Sequence, residues 1–108
     1  MTTALEFGLD TFGDVTRGAD GALATHAQVI RDVVEEAVLA DELGLDFIGL
    51  GEHHRGDFAI SAPEVALAAI AARTTKIKLG SAAVVVLAPY LLLMLIQVGF
   101  AALTSGGK

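Results

Sequence analysis

The stretch Asp46–His54, D-F-I-G-L-G-E-H-H, constrains the fold more than any other part of the chain. Phe47, Ile48 and Leu50 are apolar and strand-prone, and they end abruptly in Glu52, His53 and His54. An acid and two imidazoles are costly to bury without partners. A strand that ends this way is expected to open its C-terminal tip on a site. Its apolar residues do not alternate cleanly with polar ones, as expected for a strand covered on both faces.

The segments around it supply the cover. Leu5–Phe12 alternates loosely and reads as a first strand, followed by a Gly- and Asp-rich loop over Gly13–Ala24. Thr25-His26-Ala27-Gln28 has the form of a capping box. The helix it opens carries Val29, Ile30, Val33, Val34, Ala37, Val38 and Leu43 on one stripe, with charged residues mostly opposite. Gly44 is placed to end it in a left-handed turn. Leu45–Gly51 is the second strand and His54–Ile60 a loop. Ser61-Ala62-Pro63-Glu64 reads as a second capping box, with Pro63 in the first turn of an Ala-rich helix over Val65–Arg73. Ile77–Leu87 is the third strand, and Pro89 opens a third helix over Tyr90–Leu103. The order is β-α-β-α-β-α with short connections, the pattern of a parallel sheet. The C-terminal strand ends gather the βα loops in such a sheet. Asp10–Thr11, Glu52–His54 and Ser81–Ala83 are therefore expected to converge on one edge.

Composition narrows the function. With 108 residues a single domain is expected, and 54% hydrophobic residues argue against disorder. A net charge of −6 gives no electrostatic reason to bind nucleic acid or an anionic membrane. The absence of cysteine excludes disulfides and thiolate metal sites. The N-terminus carries Glu6 and Asp10 and lacks the basic-then-apolar pattern of a signal peptide, which makes a cytoplasmic location the default. All thirteen acids lie between Glu6 and Glu64, and no charged residue occurs from Leu79 to Gly107.

Several sharper site readings compete with plain ones. His53 and His54 are adjacent on a strand and so face opposite ways, which makes them a poor chelate, and no further ligands accompany them; no metal is expected. Asp10 either lines the strand-end surface or merely starts the following loop. His26, in the first helical turn, reads as a solvated side chain. Neither a G-x-G-x-x-G after a strand nor a G-x-S-x-G elbow is present.

The run from Gly51 to Ala83, G-E-H-H-R-G-D-F-A-I-S-A-P-E-V-A-L-A-A-I-A-A-R-T-T-K-I-K-L-G-S-A-A, resembles the N-terminal part of the bacterial luciferase-like monooxygenases. The opening F-G-L-D-T-F and the helix end A-D-E-L-G-L-D fit the same family, so the resemblance covers about residues 5–83. It implies a TIM barrel that uses FMN or the deazaflavin F420. Glu52 and His53 then match the family's acid and active-site histidine beside the flavin. Ala82–Ala83 matches the family's non-proline cis peptide next to the flavin ring. Asp10, Ser81, Ala82 and Ala83 become cofactor-binding candidates by resemblance or by strand-end position. The expected fold is α/β: a partial TIM barrel of three βα units in one domain over residues 1–108, completed by self-association.

Two departures shape the functional expectation. Family members form a whole eight-unit barrel with late phosphate-binding loops, whereas this chain stops after three units. Residues 84–108 diverge, and Leu91-Leu92-Leu93-Met94-Leu95-Ile96 is apolar on every face, although the closing L-T-S-G-G-K still resembles the family's L-S-G-G-R. A helix without a polar face must be covered by protein or lipid. A homo-oligomer formed through residues 89–103 and the open sheet edges is expected. Ala82–Leu103 meets the length of a membrane span, but Pro89 and Gly99 interrupt it. The chain is thus read as a fragment or derivative of a flavin-dependent monooxygenase, not competent alone. The first alternative is a non-catalytic, self-associating structural or interaction module, and the second, less favoured, is membrane insertion of Ala82–Leu103.

Overall fold

The computed structural model describes residues 4–81 and 95–104. Strand β1 (Gly8–Thr11) leads to helix α1 (His26–Glu42), β2 (Phe47–Leu50), α2 (Pro63–Ala71) and β3 (Lys78–Ser81). Residues 95–104 form a further helix, α3. The three strands are parallel and lie in the order β1-β2-β3. Their register is regular: Gly8, Phe47 and Lys78 lie side by side at one end, and Thr11, Leu50 and Ser81 at the other. The sheet is open and unclosed among the described residues, a partial TIM-barrel-like α/β fold. Ala82, Ala83, the expected continuation of the third strand to Leu87 and the first turns of the third helix lie outside the described residues.

Helix α1 forms as its sequence requires. Thr25 is extended, and its side chain accepts from the Gln28 N–H at 3.1 Å. Gln28 does not reach back to complete the box; its amide donates instead to Asp32, one turn on. The C-terminus closes through paired bonds, Gly44 N–H to Asp41 and Leu45 N–H to Ala40. They need the left-handed Gly44, at φ 81°. Val29, Val33, Val34, Ala37 and Ala40 are buried, while Ile30 and Leu43 of the expected stripe are exposed.

The second capping box does not form. Helix α2 begins at Pro63, and its N-cap is Ala62, with no side-chain cap. The cause is Pro63 itself, which disfavours helical geometry for the residue before it. Ala62 therefore takes the cap position, one residue later than the Ser61-x-x-Glu64 spacing requires.

The core lies on the helix-facing side of the sheet. Ile48 and Leu50 pack there with Val33, Val34, Ala37, Ile60 and Ile70. Ile48, Leu50 and Ile70 are fully buried, each worth roughly 1.5–3 kcal/mol. Expected cover on both faces of β2 is not met within the described residues, since Phe47 on the opposite face remains exposed. The uneven pattern arises because that face alternates Phe47, Gly49 and Gly51. The Phe47 ring lies across all three strands: a Cβ at Gly80 would come within 2.7 Å of it, at Gly49 within 3.0 Å and at Gly8 within 3.1 Å.

Carboxylates bind the lower end together. Asp41, near the end of α1, accepts from the backbone N–H groups of Thr75, Lys76 and Ile77. These bonds hold its carboxyl below the usual carboxylate range. Asp46 links β1 to β2, accepting from the Phe7 N–H at 2.9 Å. On the outer surface Arg73 grips Glu35 with two nitrogens, lowering the Glu35 carboxyl and raising the guanidinium. Among the described residues no helix is long and apolar enough to cross a membrane. Most of Ala82–Leu103 lies outside them.

Candidate active-site edge

The upper edge of the sheet carries the acid and the imidazoles. Thr11, Leu50 and Ser81 align at the C-terminal ends of β1, β2 and β3, and Gly51-Glu52-His53-His54 continues directly from β2. The Gly51 N–H bonds the Thr11 carbonyl at 2.9 Å, one step beyond the regular pairing.

Two βα loops then zip together above this edge. The Val15 N–H donates to Asp57 at 2.9 Å, and the Ala59 N–H to Gly13 at 2.7 Å. Asp14 and Phe58 form an antiparallel bridge between them. The His53 N–H donates to Ile60 at 3.1 Å, which folds the second loop back onto the strand tip. Gly13 sits at φ 68°, and a Cβ there would lie 2.8 Å from Ile60. His26 ties α1 to the same loop: its Nε2 donates to the Gly56 carbonyl at 2.9 Å. The expected solvated side chain is therefore a tether, although an exposed one.

The site residues divide into two groups. His54 Nε2 donates to Glu52 Oε1 at 2.6 Å, with Glu52 mostly buried and His54 mostly exposed. His53 faces elsewhere. Its ring stacks on Phe58 with centroids 4.6 Å apart and meets Phe12 edge-on at 4.7 Å. Arg55, paired with Asp57, places its guanidinium 5.6 Å from the Phe58 centroid. The expected acid and histidine thus share one strand tip, but the acid's bonded partner is His54. Two residues apart on an extended chain lie on the same side, a spacing that was readable in E-H-H. Phe12 and Phe58 carry no sequence signal for this contact: Phe12 reads as the end of the first strand and Phe58 as a loop residue, four positions after the E-H-H tip.

Asp10 lies inside β1, paired in register with Gly49, and does not start the loop. Its carboxylate rests over Gly49, where a Cβ would collide with it. That places it one register step below the tip, on the face that carries Phe47. Ser81 ends β3 beside Leu50. Ala82 and Ala83 lie outside the described residues. No cluster of three or more His, Asp or Glu side chains suited to a metal occurs among the described residues.

The edge partly suits a flavin. The exposed Phe12 ring and the half-buried His53 and Phe58 rings give an aromatic surface beside hydrogen-bonding groups, as an isoalloxazine ring needs. For the phosphate, the nearby cation Arg55 is already engaged by Asp57. An apolar groove of about 230 Å³ lies elsewhere, between α1 and α2, lined by Ile30, Ile60, Val65 and Ala66. It contains neither Glu52 nor His53 and is not this site.

Comparison with known proteins agrees with this geometry. The family described as luciferase-like monooxygenase matches residues 11–107. The crystal structure of apo-MsnO8 is similar at 34% identity and a TM-score of 0.63, over 72% of this chain and 22% of that one. A second similar structure is a type II Baeyer–Villiger monooxygenase, the oxygenating constituent of 3,6-diketocamphane monooxygenase from the CAM plasmid of Pseudomonas putida, in complex with FMN. It is 29% identical, with a TM-score of 0.63, over 73% of this chain and 21% of that one. The chain therefore spans about a fifth of the length of these solved relatives. No curated protein matches. A parallel βα sheet that ends in Glu52-His53-His54, matched by the family from residue 11 to residue 107, makes this chain a member of the luciferase-like monooxygenase family.

Proposed function

We propose that these residues form the first three βα units of a flavin-dependent monooxygenase barrel and supply one edge of its cofactor site. The observation that carries this reading is the alignment of Thr11, Leu50 and Ser81, with Glu52 and His53 rising from the middle strand. FMN or F420 would lie against that edge, with His53 and Glu52 nearest its reactive side. Asp10, Ser81, Ala82 and Ala83 would line the same surface. The bound cofactor would carry the oxygen chemistry, and the protein would supply orientation and a shielded pocket. His53 can donate or accept a proton at its open nitrogens, and the His54–Glu52 pair fixes a carboxylate beside it.

The chain by itself lacks the surface to enclose such a cofactor, and the 108 residues alone are not expected to turn over. FMN present in a similar structure supports a flavin as the ligand class. The test is equilibrium titration of the chain with FMN, read by flavin fluorescence, which detects weak binding at an open edge. Saturable quenching that is lost in His53→Ala supports the site; no saturable change with the wild-type chain at high FMN overturns it.

A second reading rests on α3. Leu95, Ile96, Val98, Phe100 and Leu103 are each more than half exposed, and β1 is paired on one side only among the described residues. Apolar surface of this extent favours association. The chain would then act as a self-associating module, a homo-oligomer closed through residues 89–103 and its sheet edges. Light scattering without detergent separates the cases: a discrete oligomer supports association, and a monodisperse monomer removes it.

A further inference from the structure

His53 is held by rings and not by side-chain hydrogen bonds. Its imidazole stacks on Phe58 with 21° between planes and meets Phe12 at 68°. The described hydrogen bonds of histidine rings belong to His26 and His54. No fully buried side-chain nitrogen lacks a partner among the described residues, so the unbonded nitrogens of the half-buried His53 are at least partly accessible. A working histidine is usually oriented through a hydrogen bond at one nitrogen, which also fixes its tautomer. Here aromatic packing sets the plane and leaves both nitrogens available. A neutral imidazole in this state offers one donor and one acceptor to the same ligand.

We infer that Phe58 and Phe12 are positioning residues for His53, fixing its ring plane so that both nitrogen edges stay free for a ligand. Both aromatic rings are themselves anchored. Phe58 sits in the bridge to Asp14, and its N–H donates to the Arg55 carbonyl at 3.2 Å. Phe12 is packed against Gly51 so closely that a Cβ there would overlap its ring. The three rings form one offset-stacked and edge-to-face set, an arrangement aromatic groups favour beyond simple area burial. The functional meaning of this positioning rests on reading His53 as a cofactor-facing residue.

The test is nuclear magnetic resonance on the full chain, with Phe58→Leu and Phe58→Tyr beside the wild type. In the wild type, the His53 ring protons should show cross-relaxation to the Phe58 and Phe12 rings and an upfield displacement from the stacked phenyl. Phe58→Leu should abolish the displacement for His53 while His26 and His54 keep theirs, and Phe58→Tyr should restore it. Absence of wild-type cross-relaxation between these rings overturns the inference without any variant. So does a folded Phe58→Leu with an unchanged His53 spectrum. FMN titration of the same samples separates the two levels. A wild-type chain that never binds FMN sinks the proposed function, while the ring spectra still decide the positioning. Where FMN binds, Phe58→Leu and His53→Ala should each weaken it, Phe58→Leu by about tenfold, and the double variant should lose no more than His53→Ala alone. Additive losses, which would mean that Phe58 meets the flavin directly, or unchanged affinity with a freed His53 ring, overturn the inference.

Discussion

His54 bonds Glu52 at 2.6 Å, while His53, between them in sequence, turns its ring onto Phe58. One tripeptide therefore serves two purposes. The outer pair fixes a carboxylate, and the middle residue offers an imidazole. Because His54 is mostly exposed, the bond contributes little to folding, and His54→Ala should change unfolding free energy by less than about 1 kcal/mol. Urea denaturation measures this. A loss of several kcal/mol would mean that the pair anchors the strand tip and is not simply a surface contact.

The glycines beneath the site should tolerate alanine unequally. At Gly51 the new Cβ would meet the rigid Phe12 ring, and at Gly49 chiefly the Asp10 carboxylate, which can swing aside. Gly51→Ala should cost about 1–3 kcal/mol and displace the His53 ring with Phe12. Gly49→Ala should cost less. Equal thermal midpoints for the two variants would contradict this account.

Asp41 should make folding sensitive to acid. Its three backbone bonds hold the folded carboxyl below its usual value. The unfolded chain, with an Asp near about 3.9, then takes up the proton more readily. Stability from this tether is fully present above that value and is lost as pH falls through the lower, folded one. Glu35 follows the same sign through Arg73, but that pair is exposed and weak. Thermal midpoints recorded across the acid range should fall less steeply in Asp41→Asn than in the wild type, from a lower starting point at neutral pH. Parallel curves would assign the acid sensitivity elsewhere.

Core substitutions give the largest losses expected here. Ile48→Ala and Leu50→Ala each empty a fully buried position between sheet and helices, at about 2–5 kcal/mol. In so small a domain either change should leave a substantial unfolded fraction at room temperature. Circular dichroism would detect it, and native-like melting in both variants would show that the core is assembled differently.

Phe100→Asp tests the exposed helix. It places a charge beside the exposed apolar Ile96 and Leu103, and a charge cannot be buried between copies without a partner. Light scattering should show a smaller assembly than the wild type. An unchanged oligomer would move the contact to the sheet edges.

Much of this architecture was legible because periodicity and turn chemistry agree. The valines of α1 repeat at helical spacing, and Gly44 ends that helix as a left-handed glycine should. The apolar run before Glu52 predicted the strand that runs up to it. The features not legible in the sequence depend on neighbours that the sequence does not place in order. Ser61 lost its cap to Ala62 because Pro63 restricts the residue before it. Ile30 and Leu43 fit the apolar stripe but are exposed, Ile30 beside the groove between α1 and α2 and Leu43 at the helix C-cap. The ring contacts of His53 join positions 12, 53 and 58 through two loops, and no local pattern encodes such a meeting. His26 found the Gly56 carbonyl for the same reason.

The zipped loops over the strand tips carry an implication for inheritance. Because residues 13–15 and 57–59 share backbone bonds, neither loop can lengthen, shorten or change its turn without the other shifting to match. Change at this edge must therefore be correlated: a graft that transplants the E-H-H loop from another member should succeed only when the first loop travels with it.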